Sequence, residues 1–196
     1  MHSSEHSRPD VTTVEIVGGA ERLSVGLHEH DDRWAESFRE HERRIAAALA
    51  SVDVAIEHIG STAVPGLAAK PIVDIVVAVP DITAEEDYLA PLLAAGYRLR
   101  VREPGHRLVR TPERDVHVHL YGRGDPAIDE YLLLRDHLRR DPADRELYEA
   151  TKRSLMERSW ADMNAYSDAK TEVIEAIKVR ARAAGVGPAS ADAGPA

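Results

Sequence analysis

The run from residue 72 to residue 79, bracketed by Pro71 and Pro80, is apolar at every position except Asp74 and rich in β-branched residues. Near-continuous hydrophobicity of this kind belongs to a central strand buried on both faces. A carboxylate inside such a strand is costly unless it is ion-paired or binds a metal. Ile72 and Val76 share the face of Asp74 and offer it nothing. A nearby cation such as Lys70 is one solution, and a metal ion is the other. The chain is therefore expected to fold around a sheet, and the one polar residue of its most apolar strand is a candidate for function.

The segments around that strand read as helices and strands. Trp34, Phe38, His41, Ile45, Leu49 and Val52 recur at helical spacing behind a capping Asp31 or Asp32. Residues 54–60 read as a short strand running into a turn-rich stretch. Thr83 and Glu86 have capping-box spacing ahead of a helix with Leu89, Leu92 and Leu93 inward, stopped by Gly96. Residues 97–101, 107–111 and 116–121 predict three consecutive antiparallel strands. Asp125-Pro126 and Asp141-Pro142 each set a capping carboxylate before a proline at the first helical position. A last helix carries Met163, Tyr166, Lys170, Ile174 and Ile177. The layout is α+β: a mixed sheet of four or five strands with helices on one face, and a helical C-terminal third. Residues 1–22 are expected as a flexible tail with one short strand at 14–17, residues 23–182 as the folded domain, and residues 183–196 as a disordered tail.

A chain of 196 residues is long enough to bury its own core. Its 25 basic and 34 acidic residues leave a net charge of −9, which argues against bulk nucleic-acid binding but leaves room for a local basic site for one nucleotide. The absence of cysteine excludes disulfides, zinc–thiolate centres, iron–sulfur clusters and thiol catalysis. The polar opening residues are not a secretory signal, and no apolar run approaches the roughly 18 residues of a membrane span. A cytoplasmic location is the expectation.

Several residues carry chemistry. Gly60-Ser61-Thr62 ends a strand, where a glycine lets the backbone approach a phosphate and the following N–H and hydroxyl groups can hold it. The plain alternative is a tight turn. His117 and His119 alternate, so both point to one face at about 6.5–7 Å spacing and can share a metal or bracket a polar ligand. The alternative there is the exposed face of an edge strand. His106 falls in a turn and is expected to take no part. Arg135, Lys152 and Lys170 read on their own as solvated helix faces, and become phosphate ligands only if a site lies beside them.

Taken together, these pieces resemble a known family. The stretch Glu57-His58-Ile59-Gly60-Ser61-Thr62-Ala63-Val64-Pro65-Gly66-Leu67-Ala68-Ala69-Lys70-Pro71-Ile72-Val73-Asp74-Ile75 closely resembles the signature of the GrpB family. The resemblance extends to the Trp34/Phe38 helix, to His117-Val118-His119-Leu120, to Leu134-Arg135-Asp136-His137-Leu138-Arg139, and to Tyr148, Lys152, Tyr166 and Lys170. It covers roughly residues 25–180 and implies the nucleotidyltransferase fold. Enzymes of that superfamily use a Gly-Ser turn, an Asp-hydrophobic-Asp strand about a dozen residues on, and a third carboxylate on a neighbouring strand. Two metal ions sit between these groups and a triphosphate. Here Gly60-Ser61 and Asp74 match, Val76 stands at the second carboxylate, and His117 or His119 replaces the third. One Asp and two His suit zinc, manganese or iron better than magnesium, with Glu57 as a further oxygen.

The resemblance implies two functions of different class. The first is a nucleotide-dependent transferase. Gly60, Ser61, Thr62, Lys70, Arg135, Lys152 and Lys170 would hold ATP or another nucleoside triphosphate. Asp74, His117 and His119 would hold a divalent metal ion and carry catalysis toward a small-molecule acceptor. The second is a non-catalytic binding or folding-assistance module, like the domain fused to dephospho-CoA kinase in some bacteria. On the first function, Gly60→Val is expected to leave folding intact and block the approach of phosphate.

Overall fold

The computed structural model describes residues 8–19, 26–158 and 168–185. In chain order the elements are β1 (Glu15–Ile16), α1 (Arg33–Ala48), β2 (Ala55–Ile59), a 3-10 turn (Ser61–Ala63), β3 (Val73–Val79), α2 (Glu85–Ala94), β4 (Arg98–Glu103), β5 (His106–Arg110), β6 (Val116–Gly122), α3 (Pro126–Arg140), α4 (Pro142–Met156) and α5 (Thr171–Ala183). Six strands form one sheet in the order β1-β4-β5-β6-β3-β2. Every pairing is antiparallel except β3 with β6, which runs parallel and sets Asp74 opposite His117 and Val76 opposite His119. β6 is thus an interior strand, not an edge.

The alternation of β3 gives each face its own cover. Val73, Ile75, Val77 and Val79 join Val116, Val118 and Leu120 beneath Trp34 and Ile45 of α1 and Tyr88, Leu89 and Leu92 of α2. On the opposite face Val76 packs with Ile59 and with Leu132 of α3, flanked by Tyr121, Ile128 and Tyr131. A third cluster, Val64, Leu67, Leu138, Tyr148 and Ile177, ties the loop after β2 to α3, α4 and α5. The expectation of helices on one face is therefore corrected. A strand apolar on both sides needs a layer on each.

Local signals hold in some places and fail in others. Asp125 accepts a hydrogen bond from the Ala127 N–H at 2.9 Å, and Asp141 from the Asp144 N–H at 2.9 Å, so both Asp-Pro pairs cap their helices. The Thr83/Glu86 box does not form. Asp81 takes the Thr83 N–H and hydroxyl at 2.8 and 2.7 Å, and α2 starts later, at Glu85. Leu93, expected inward, is 41% exposed.

Residues 8–19, inside the segment expected as a tail, lie against the sheet. β1 pairs with β4. Asp10 accepts from the Gly105 N–H at 2.6 Å and ion-pairs with Arg107, which is 1% exposed and also donates to Glu85 at 2.6 Å. Met163, Tyr166 and nearly all of the expected C-terminal tail fall outside the described residues. No described helix is long and apolar enough to cross a membrane.

Candidate active site

The site forms on the α3 side of the sheet, where the start of β3 meets the start of β6. Gly60 leaves β2 at φ 73, a left-handed conformation that favours glycine. A Cβ there would sit 2.7 Å from Asp74 Oδ2. The close approach that requires glycine is thus to the Asp74 carboxylate, and Gly60→Val would strain the fold itself.

Asp74 faces both predicted histidines. Its Oδ1 lies 3.7 Å from His117 Nδ1 and 3.6 Å from His119 Nε2. Burial alone would raise the Asp74 pKa. The imidazolium forms of His119 and His117, with the charge of Lys170, outweigh burial and hold the carboxyl below its ordinary range.

A cavity of about 300 Å³ opens beside this group. Gly60, Ser61 and Thr62 line it from the 3-10 turn, Lys70 and Ile72 from the approach to β3, and Tyr131 from α3. Lys152 of α4 and Lys170 at the head of α5 complete the wall. Lys152 donates to Ser61 Oγ at 3.2 Å and to the Ala68 carbonyl, and its ammonium lies 4.8 Å from the centre of the Tyr148 ring. Burial, reinforced by the charge of Lys170, pushes Lys70 and Lys152 each down to about 7. Burial also lowers Lys170. Lys170 repels both Lys70 and Lys152, and three amines gathered on one cavity make a place for a multiply charged anion.

Two expected ligands act otherwise. The Thr62 hydroxyl donates to the Ile72 carbonyl at 3.3 Å and meets His58 Nε2 at 3.1 Å, which ties the turn to the entry of β3. Burial, aided by Arg139, pushes His58 down to about 4, so it stays neutral, stacked on Phe38 at 4.8 Å. Arg135 does not line the cavity. It donates to Glu57 at 2.7 Å, to Asp136 at 2.8 Å and to the His58 carbonyl at 3.0 Å, a buried tie between α3 and β2. Two carboxylates and a carbonyl engage its Nε and Nη1, and neither Arg135 nor Glu57 lines the cavity.

One residue expected to stand aside belongs here. His106 Nδ1 bonds Glu103 Oε1 at 2.6 Å, and its Nε2 meets His119 Nδ1 at 3.1 Å. The His106 ring stacks on His119 at 5.2 Å and on Tyr121 at 4.6 Å. The signal was present in the hairpin register. His106 pairs with Tyr121, which places it diagonally to His119 on the same face.

Donor separations of 3.6–3.7 Å suit a shared ion with bonds of about 2 Å. Either imidazole can thus share an ion with Asp74. Among the described residues, the one set of three whose donor atoms all lie within 4.8 Å of one another is His137, Asp141 and Asp144. The two pocket imidazoles therefore each face Asp74 rather than close a three-sided cage. In the His137 set Arg180 already supplies positive charge, donating to both Asp144 oxygens.

The model of the GrpB protein family matches residues 24–180. The UPF0157 protein SCO7215 of Streptomyces coelicolor is 69% identical, over 93% of this chain and 98% of its own length. A dephospho-CoA kinase of Mycolicibacterium paratuberculosis is 32% identical over 74% of this chain, and the match spans 43% of the kinase. The crystal structure of the conserved protein GrpB from Enterococcus faecalis superposes with a TM-score of 0.72 at 30% identity, covering 82% of this chain and 99% of that one. A chain of the GLD-2/RNP-8 complex superposes with a TM-score of 0.51 at 16% identity, over 74% of this chain and 59% of its own. That likeness extends to the fold, which is nucleotidyltransferase-like.

Proposed function

This chain belongs to the GrpB family, and we propose that it is a nucleotide-dependent transferase acting on a small molecule. The observation that carries this is the convergence of Lys70, Lys152 and Lys170 with Asp74 on one cavity beside the Gly60 turn. The lysines come from three separate parts of the chain, and burial disfavours all three charges. A triphosphate returns that cost through charge-assisted hydrogen bonds. Lys152 spans from Ser61 to the Ala68 carbonyl, so its ammonium is already fixed where a phosphate oxygen would replace one partner.

Asp74 with His119 or His117 fits a divalent transition ion, by donor type and by spacing. Such an ion, when bound, supplies Lewis-acid charge to phosphate oxygens. Val76 lies in the apolar cluster with Ile59 and Leu132, so the place of a second carboxylate is filled by core. The lysines then supply the charge that a second ion supplies elsewhere in the superfamily. Catalysis on this scheme is positioning and electrostatics. Calorimetric titration with ATP, CTP and GTP in the presence of Mn²⁺ tests it. Wild type binds at least one of them, and Lys152→Gln weakens that binding tenfold or more. Failure of all three nucleotides to bind contradicts the proposal.

A module that binds a nucleotide without chemistry is favoured by one observation, the sealed floor at Val76. Tight nucleotide binding with no turnover across hydroxyl and amine acceptors would select it.

A further inference from the structure

Four groups in a row run from the surface into the cavity: Glu103, His106, His119 and Asp74. Their contacts fix where the protons sit. The Glu103 carboxylate accepts, so His106 Nδ1 carries a hydrogen and donates at 2.6 Å. In a neutral imidazole the other nitrogen is then a lone pair, so His106 Nε2 accepts. His119 Nδ1, at 3.1 Å, must donate to it. His119 Nε2 is left as a lone pair, aimed at Asp74 Oδ1 3.6 Å away. The distances agree with this assignment, since 3.1 Å is a hydrogen bond and 3.6 Å is not. Stacking on His119 and Tyr121 holds the His106 ring in plane with its task.

We propose that Glu103 and His106 are positioning residues that lock His119 as its Nδ1–H tautomer and so turn the Nε2 lone pair onto Asp74. This deepens the metal site of the proposed transferase and rests on that reading for its purpose. Two acceptors facing each other across 3.6 Å form a clip that closes on one electropositive occupant, a divalent ion above all. A histidine that ligates a metal commonly has its second nitrogen held in this way. His117 Nδ1 faces the same Asp74 oxygen from outside this row.

Nitrogen-15 NMR of the imidazoles, on metal-free protein at pH 8, reads the tautomer directly. Three proteins separate the roles of His106. In His106→Phe the ring stack survives and the acceptor is lost. In His106→Gln a side-chain carbonyl can still accept from His119. Wild type and His106→Gln are expected to show hydrogen on His119 Nδ1 and a lone pair on Nε2. His106→Phe is expected to revert toward the Nε2–H form that predominates in free histidine. Wild-type His119 with its hydrogen on Nε2, or a His106→Phe tautomer equal to wild type, overturns the proposal. Titration of the same proteins with Mn²⁺ tests the underlying metal reading separately. His106→Phe is expected to weaken binding by about 10–100-fold, as loss of an outer partner typically does, with His106→Gln between it and wild type. A locked tautomer with no Mn²⁺ binding by wild type removes the metal and leaves the positioning role standing.

Discussion

The lysines of the cavity give the site its pH dependence. Lys70 faces Lys170 and Asp74, while Lys152 faces Lys170, Glu149 and Arg153. Both sit near 7 when folded, against about 10.4 in an unfolded chain. Between about pH 7 and 10 the unfolded chain therefore holds protons that the folded one has shed, and these two residues make stability rise with pH across that window. On the proposed function anion binding runs the other way, because a phosphate needs the ammonium form. Affinity for inorganic tripolyphosphate, measured without metal, is expected to fall as pH goes from 6 to 9. Lys152→Gln should lower it at pH 6 and flatten the profile. A pH-independent affinity would count against the lysines as ligands. Gly60 gives a second prediction at this scale. Gly60→Ala is expected to cost about 1–2 kcal/mol from the left-handed backbone alone, and more from the Cβ placed 2.7 Å from Asp74 Oδ2. Chemical denaturation in an Asp74→Ala background should recover most of the second part and none of the first, since only the Cβ of residue 74, at 3.2 Å, remains close.

At the scale of elements, legibility followed the range of the interaction. The Asp-Pro caps of α3 and α4 were legible because cap and helix lie within three residues. Asp125→Ala and Asp141→Ala are each expected to cost about 1 kcal/mol in thermal or chemical unfolding. The Thr83 box was misread because Asp81, two residues before it, competes for the same N–H and hydroxyl. Strand 73–79 was legible from its β-branched density, but the second helical layer over it was not, since apolarity on both faces does not say which helix covers which. The short strand expected at 14–17 is β1, but the docking of the segment before it was hidden for a similar reason. Its anchor is the pair of Asp10 and Arg107, 97 residues apart in sequence. Asp10→Asn is expected to cost about 1.5–3 kcal/mol, the worth of a hydrogen bond to a charged group. Unchanged stability would mean that Glu85 alone satisfies Arg107.

Over the whole molecule, one topological fact makes the site. β3 and β6 run parallel and side by side, although α2, β4 and β5 intervene between them in the chain. That pairing carries Asp74, His117 and His119 to one end of the sheet, and α4 and α5 bring Lys152 and Lys170 over it. Residues 60–62, 74, 117 and 119 were singled out locally and grouped by the family resemblance, and the structure sets them around one cavity. Arg135 was misplaced because a helix face in sequence does not show that Glu57 and Asp136 claim its guanidinium. His106 was missed because a turn assignment hid the stack it makes across the hairpin. The central claim is that this cavity is a triphosphate site. A crystal structure grown with a non-hydrolysable nucleoside triphosphate analogue and Mn²⁺ tests it most directly. The expected result is phosphate oxygens within hydrogen-bond distance of Lys70, Lys152 and Lys170, with the ion beside Asp74 and His119. An analogue bound elsewhere on the molecule, or a cavity left without it at saturating concentration, would contradict the claim.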